Sequence, residues 1–403
     1  MLENLKIENF RGFQSFELQQ LGRVNLLVGQ NNSGKTSILE AIQLLCSRTN
    51  IEPLREIMEK RGEYIHNEEE RFPSNILDIR HLFYGHEIKL KSQLSISGKE
   101  KDHSEIFIIY IGSHSSDRSN NDTNPESYSS DFNKLEEILH INDRSDNDTN
   151  PESYDYDFNE LEKNSHIHIQ WSDGIEEENI DGYLSDDGGL QENFRRLSRV
   201  IDYSKKIRNL PIKTNFVTSS SLTTYEMIEF FDRIVLTPEE KIVQDAVKMI
   251  DMNVERIAVI SSKIYKDLGF REGFVVLRSD NHQRVPIGSF GDGTWRMLGL
   301  ALAIVNVKDG VLLVDEIDTG LHFTAMSKMW KLIWETAKKL NVQVFATTHN
   351  SDCWKSLASI ACEENAHEEG GITIQRIEPD KNTAIAFNER EIVIAAERDL
   401  EVR

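Results

Sequence analysis

The sequence predicts an α/β chain: an antiparallel β lobe at the N-terminus, a mostly parallel core sheet flanked by helices, and a helical subdomain between them. Three observations predict it. Apolar and polar residues alternate through the first 28 positions; short apolar runs alternate with helical stretches through the last third; and a section of helical periodicity lies between.

Taken in order, Leu5-Lys6-Ile7-Glu8-Asn9-Phe10 and residues 13–18 read as two antiparallel strands, and residues 24–28 as a buried third. A glycine-rich turn follows, then a helix over about 34–46 with Ile38, Leu39, Ile42 and Leu45 on one face. Strands are expected at 88–95, 106–111 and 167–171. A helical section is expected over about 224–257, its second helix opened by Pro238 at the first helical position. Strands at 274–278, 310–314 and 343–347 then alternate with helices at about 294–305 and 325–339, the pattern of a parallel sheet covered by helices. Beyond residue 353 the pattern reads helix, two strands (371–377 and 383–387) and a final helix. No sustained heptad is present, so long coiled-coil arms are not expected.

The 403 residues carry 68 acidic and 46 basic side chains, a formal charge of −22. That excess is local: residues 112–188 hold 21 acidic and 4 basic side chains, a charge of −17, which leaves −5 for the other 326. Inside this stretch, residues 117–137 are repeated at 143–163 with 16 of 21 positions identical. Its Asn, Asp, Ser and Glu content cannot bury enough apolar area to offset ordering entropy, so residues 112–165 are expected to be a disordered surface insertion. Arg195, Arg196, Arg199, Lys205, Lys206, Arg208 and Lys213 then face only Asp202 across residues 195–213, a basic strip suited either to solvent or to a phosphate backbone. The domain organisation expected is therefore 1–111 (β lobe and phosphate loop), 112–165 (insertion), 166–286 (middle strands and helical subdomain) and 287–403 (C-terminal lobe). The longest apolar run near a helical pattern, residues 297–305, is nine residues, less than half a bilayer span of about 20. Cys46, Cys353 and Cys362 form no CxxC pair or zinc spacing, and the charged start is no signal peptide; a reduced, cytoplasmic setting is expected.

Four segments carry chemistry. Gly29-Gln30-Asn31-Asn32-Ser33-Gly34-Lys35-Thr36 fits G-x-x-x-x-G-K-[ST] between a buried strand and a helix. Its backbone N–H groups suit α- and β-phosphates, Lys35 the β- and γ-phosphates, and the Thr36 hydroxyl a magnesium ion. Val311-Leu312-Leu313-Val314-Asp315-Glu316 is a buried parallel strand ending in two carboxylates; Asp315 suits magnesium, Glu316 the attacking water. Gln343-Val344-Phe345-Ala346-Thr347-Thr348-His349 begins 27 residues after Glu316, room for one crossover helix, so His349 can share the same sheet edge. Ser289-Phe290-Gly291-Asp292-Gly293 opens another helix with a hydroxyl and accessible N–H groups. Taken alone it is equally an ordinary glycine-rich turn. As an anion site it is a second one, and one γ-phosphate does not need two loops of one chain, so a nucleotide sandwiched between two subunits is expected.

Together these residues resemble the ATP-binding-cassette (ABC) class of P-loop ATPases, in the branch of SMC, RecF and OLD (overcoming lysogenization defect) proteins. Asn9-Phe10-Arg11-Gly12 is similar to that branch's "N-F-R" start, which implies that Arg11 approaches the nucleotide phosphates. The resemblance implies a catalytic carboxylate at Glu316 after the Walker B Asp315, a D-loop at Asp318-Thr319-Gly320-Leu321-His322, a switch histidine at His349, and a signature loop at Ser289, Gly291 and Gly293 that acts in trans. The S-F-G-D-G reading departs from the L-S-G-G-Q of membrane transporters and argues against a transporter subunit. No Q-loop glutamine is placed; Gln93 is one candidate. Only 54 residues follow His349, too few for the Toprim domain of OLD nucleases. The chain thus looks like a stand-alone AAA_15/AAA_21-type ATPase, using ATP and magnesium, self-associating, and working with a separately encoded effector such as a Toprim nuclease in anti-phage defence. A second class stays open: direct action on DNA through the strip at 195–213, as in RecF-like and SMC-like repair ATPases.

Overall fold

The structure is a computed structural model that describes residues 1–65, 76–100, 103–113, 165–185, 188–190, 211–260, 273–280, 283–363 and 371–402. Most of the acidic insertion and residues 195–210 of the basic strip lie outside the described residues, as does the question of their order.

Two six-stranded sheets form the frame. The first has the order β2 (Phe13–Leu18), β1 (Asn4–Phe10), β5 (Gln93–Glu100), β6 (His103–Ser113), β7 (Ser165–Ser172), β8 (Glu177–Tyr183), with every neighbour antiparallel. The second has the order β10 (Thr214–Val217), β14 (Val311–Val314), β15 (Gln343–Thr348), β3 (Val24–Val28), β16 (Ile372–Arg376), β17 (Ile385–Phe387), parallel except at β17. A three-stranded sheet joins β11 (Val254–Val259), β12 (Phe274–Arg278) and β13 (Arg284–Pro286), and a two-stranded one joins β4 (Leu77–Asp78) to β9 (Gly189–Leu190). The pairing of β6 with β7 runs to Ser113↔Ser165, so the chain leaves and re-enters the first sheet at opposite positions of one hairpin.

Helix α1 (Lys35–Ser47) lies between the two large sheets, and residues 37–47 of it are all buried. That is why its apolar positions spread beyond one stripe: Leu44 packs as deeply as Ile38, Leu39 and Ile42. Strand residues sort by their period of two. Leu27, Leu313 and Phe345 pack with α1 and the antiparallel sheet, while Leu26, Val314 and Ala346 face the helical layer on the far side. That layer contains α3 (Thr224–Ile234), α4 (Pro238–Ile250), α5 (Asp292–Val305), α6 (Phe323–Leu340), α7 (Ser351–Glu363) and α8 (Glu389–Glu397), with α2 (Glu52–Arg61) on the α1 side.

Two expected bounds shift. The strand expected at 88–95 is Gln93–Glu100, because β1 fixes its register through Ile7↔Ile96 and Leu5↔Gly98 and draws the polar end into the ladder. The helical section ends at Ile250, not 257. Val254–Val259 is a strand instead, held by the pairing Ile257↔Val276, which an isolated reading of helical periodicity does not contain.

Candidate functional site

The parallel order β14-β15-β3 brings the carboxyl ends of three strands together, and the phosphate loop is the continuation of β3. The loop is sterically enforced. Gly29 has φ 150° and a Cβ there would lie 2.5 Å from the Ile377 carbonyl; Gly34 has φ 91° and a Cβ there would lie 2.2 Å from the Phe13 ring. Gln30, Asn31 and Asn32 are exposed while Ser33 is buried, with no hydrogen-bond partner at its Oγ. No acidic residue occupies the first turn of α1, so the positive end of its dipole is open to an anion on the loop side. Lys35 Nζ donates to the carbonyls of Gly29 (2.9 Å) and Gln30 (2.7 Å). Burial lowers the Lys35 pKa, and Asp315 and Glu316 oppose the shift.

The Thr36 hydroxyl meets the Asp315 carboxylate at 3.2 and 3.1 Å, a pair of hard oxygen donors that fits magnesium. Among the described residues no group of three or more His, Cys, Asp or Glu side chains is placed to hold a metal. Glu316 stands at φ 45°, in the left-handed region uncommon for non-glycine residues. Its N–H donates to Thr347 Oγ1 (2.8 Å), and Thr347 Oγ1 donates to Asp315 Oδ1 (2.6 Å). The His349 Nδ1 lies 3.7 Å from Glu316 Oε1, and both side chains are substantially exposed. Asp318 is buried and accepts a 2.7 Å hydrogen bond from Thr348 Oγ1.

The structure therefore brings together Gly29 to Thr36, Asp315, Glu316 and His349. Arg11, for which the resemblance implies phosphate contact, makes its contacts here with groups of its own chain. Arg11 is 5% exposed, its Nε is 2.7 Å from Glu40 Oε2, and its guanidinium pairs with Glu63 and donates to the His81 carbonyl at 3.2 Å. Two buried acids, Glu40 on α1 and Glu63 just beyond the C-terminus of α2, take its charge. Ser289 and Gly291 are exposed, and Gly291 caps α5 at φ 82°. A Cβ on Gly293 would lie 3.4 Å from the Gly320 carbonyl, so this loop rests on the D-loop segment. Gln93 opens β5 in the antiparallel sheet, and its carbonyl accepts from Asn9.

Sequence reasoning missed the hydroxyls that orient the acids: Thr347 under Asp315 and Glu316, and Thr348 under Asp318. It also missed Thr218, at the end of β10. Thr218 lines a cavity of about 280 Å³ with Thr36, Glu40, Gln43, Arg61 and Asp315. A signal was available, since 216–221 and 346–348 both pass from apolar residues into a run of hydroxyls.

This arrangement, a phosphate loop beside two strand-terminal acids, is joined by a match over most of the chain: the AAA ATPase domain family covers residues 1–353. The chain belongs to that family. It is an ATPase with a P-loop, as the resemblance implied, and its α/β architecture is the expected one. The ATPase is 21% identical over 375 residues to an ATP/GTP phosphatase of Helicobacter pylori, covering 91% of this chain and 90% of that protein. It is 48% identical over 44 residues to the DNA replication and repair protein RecF of Clostridioides difficile, 11% of this chain and 12% of RecF. An SMC head bound to the C-winged helix domain of ScpA is similar in structure, with TM-score 0.44 and 12% identity over 96% of this chain and 98% of that one. No helix among the described residues is long and apolar enough to cross a membrane.

Proposed function

We propose that this ATPase hydrolyses ATP with magnesium at an interface between two copies of the chain, the Gly29–Thr36 loop of one facing the Ser289–Gly293 loop of the other. The observation that carries this reading is the separation of roles. One glycine loop is joined by hydrogen bonds to the strand-end acids, whereas the other is exposed beside Gly320 of the D-loop. Loop N–H groups and Lys35 bind the phosphates, and Thr36 with Asp315 would hold magnesium, which would neutralise phosphate charge. Glu316 takes the proton of the attacking water, or orients it, with His349 beside it. Contacts from both chains favour the closed dimer, so occupancy is coupled to association. ATP-dependent dimerisation, measured by sedimentation with Gly291→Glu as control, tests this. Dimerisation of Gly291→Glu equal to wild type sinks the trans loop.

We further propose that the dimer is a regulator whose output is made by a separately encoded effector, a Toprim-type nuclease in anti-phage defence by analogy, within the domain plan 1–111, 112–165, 166–286 and 287–403. The RecF match favours a second reading, in which the ATPase acts on DNA through residues 195–213. DNA affinity measured against salt separates them. A steep fall with salt, strengthened by deleting 112–165, supports DNA; no measurable affinity supports the effector.

A further inference from the structure

We propose that Arg296 is a positioning residue for hydrolysis: a strut from the helix behind the second glycine loop that holds the backbone of Glu316 at the strand end. This rests on Glu316 serving the attacking water, as above.

Arg296 lies five residues beyond Gly291, near the start of α5, and is 3% exposed. One terminal nitrogen donates to the Thr218 carbonyl at 2.7 Å, and the other to the Asp315 and Glu316 carbonyls at 3.0 and 2.9 Å. Those carbonyls belong to the ends of β10 and β14, adjacent parallel strands that close on the pair Val217↔Val314. A buried guanidinium thus binds carbonyl oxygens of two strand ends instead of the carboxylates beside it. Burial pushes its pKa down to about 10 while Asp318, Asp315 and Glu316 oppose the shift, so it stays charged at neutral pH.

What the strut holds is unusual. Glu316 has φ 45°, its N–H is held by Thr347 and its carbonyl by Arg296. Its side chain, by contrast, is exposed and loosely partnered, with Thr319 Oγ1 at 3.3 Å and His349 Nδ1 at 3.7 Å. The direction of the carboxylate is therefore set through the clamped backbone more than through its own contacts. The rigid fork divides the three carbonyls between two terminal nitrogens, a fixed geometry that a single rotatable ammonium does not reproduce. Because α5 also carries the cap glycine of the second loop, and Gly293 rests on Gly320, a shift of that loop is passed by α5 to the residue that acts on water.

The test compares Arg296→Met, Arg296→Lys, Glu316→Gln and the double variant Arg296→Met/Glu316→Gln, reading ATP affinity and single-turnover hydrolysis separately. Displacing a catalytic group by about 1 Å costs on the order of 100-fold, so Arg296→Met should lose roughly 10–100-fold in kcat with ATP affinity kept within about twofold. Arg296→Lys should recover only part. The double variant should be no slower than Glu316→Gln, since both lesions act through one carboxylate. Wild-type kcat in Arg296→Met overturns the strut, as does a double variant slowed by the product of the single effects. If Arg296→Met does not fold, Arg296→Lys decides, and wild-type kcat there is equally fatal. Normal turnover by Glu316→Gln overturns the assignment of Glu316 instead, and the strut with it.

Discussion

In the phosphate loop, a Cβ at Gly34 would lie 2.2 Å from the Phe13 ring, whereas at Gly291 it would meet nothing within 4 Å. Both glycines have positive φ, at 91° and 82°, and both precede a helix. The first is walled in by its own chain. The second has space in front of it, and its backbone, at ψ 176°, lies in a region that is essentially glycine-only. A glycine surrounded by its own chain is explained by packing. The second is explained by its own backbone, and its open face beside the D-loop leaves room for the phosphate of another copy that we propose.

The largest effect should come from the walled-in loop. Lys35→Ala removes the point charge on the phosphates and should cost about 2–5 kcal/mol in ATP binding, measured by titration; unchanged affinity would break the assignment. Glu316→Gln should bind ATP normally while hydrolysis falls roughly 10²–10⁴-fold. Unaltered turnover would put another base in charge.

Stability sharpens the contrast between the two glycines. Gly34→Ala combines backbone strain with a clash and should cost about 2–4 kcal/mol, against roughly 1–3 kcal/mol for Gly291→Ala, where strain acts alone. Chemical denaturation of both variants checks this; equal losses would remove the distinction.

The smallest effect concerns pH. Because burial lowers the Lys35 pKa, the unfolded chain binds more protons between that value and the ordinary lysine value of 10.5. Wild-type stability relative to Lys35→Met should therefore rise with pH across that window. A fall would mean that the folded protein favours the charged amine.

What was legible in the sequence was local. The phosphate loop, the acids after 311–314 and the histidine after 343–348 follow from an apolar run and the residues next to it. What was not legible depends on partners far away in the chain. Arg11 sits in a motif that implies phosphate contact, yet Glu40 and Glu63 take its charge. Thr218 and Arg296 enter the site only because β10 pairs with β14 and α5 packs beneath both. Residues 254–257 read as helix until β12 supplies a ladder.

The central claim is that the two glycine loops act on one nucleotide from different chains. The measurement that tests it is hydrolysis by an equimolar mixture of Lys35→Ala and Gly291→Glu, each inactive alone. In a mixed dimer, one composite site carries both lesions and the other carries neither, so turnover should return. A mixture no more active than the two variants measured separately would place both loops on the same chain's nucleotide and contradict the account.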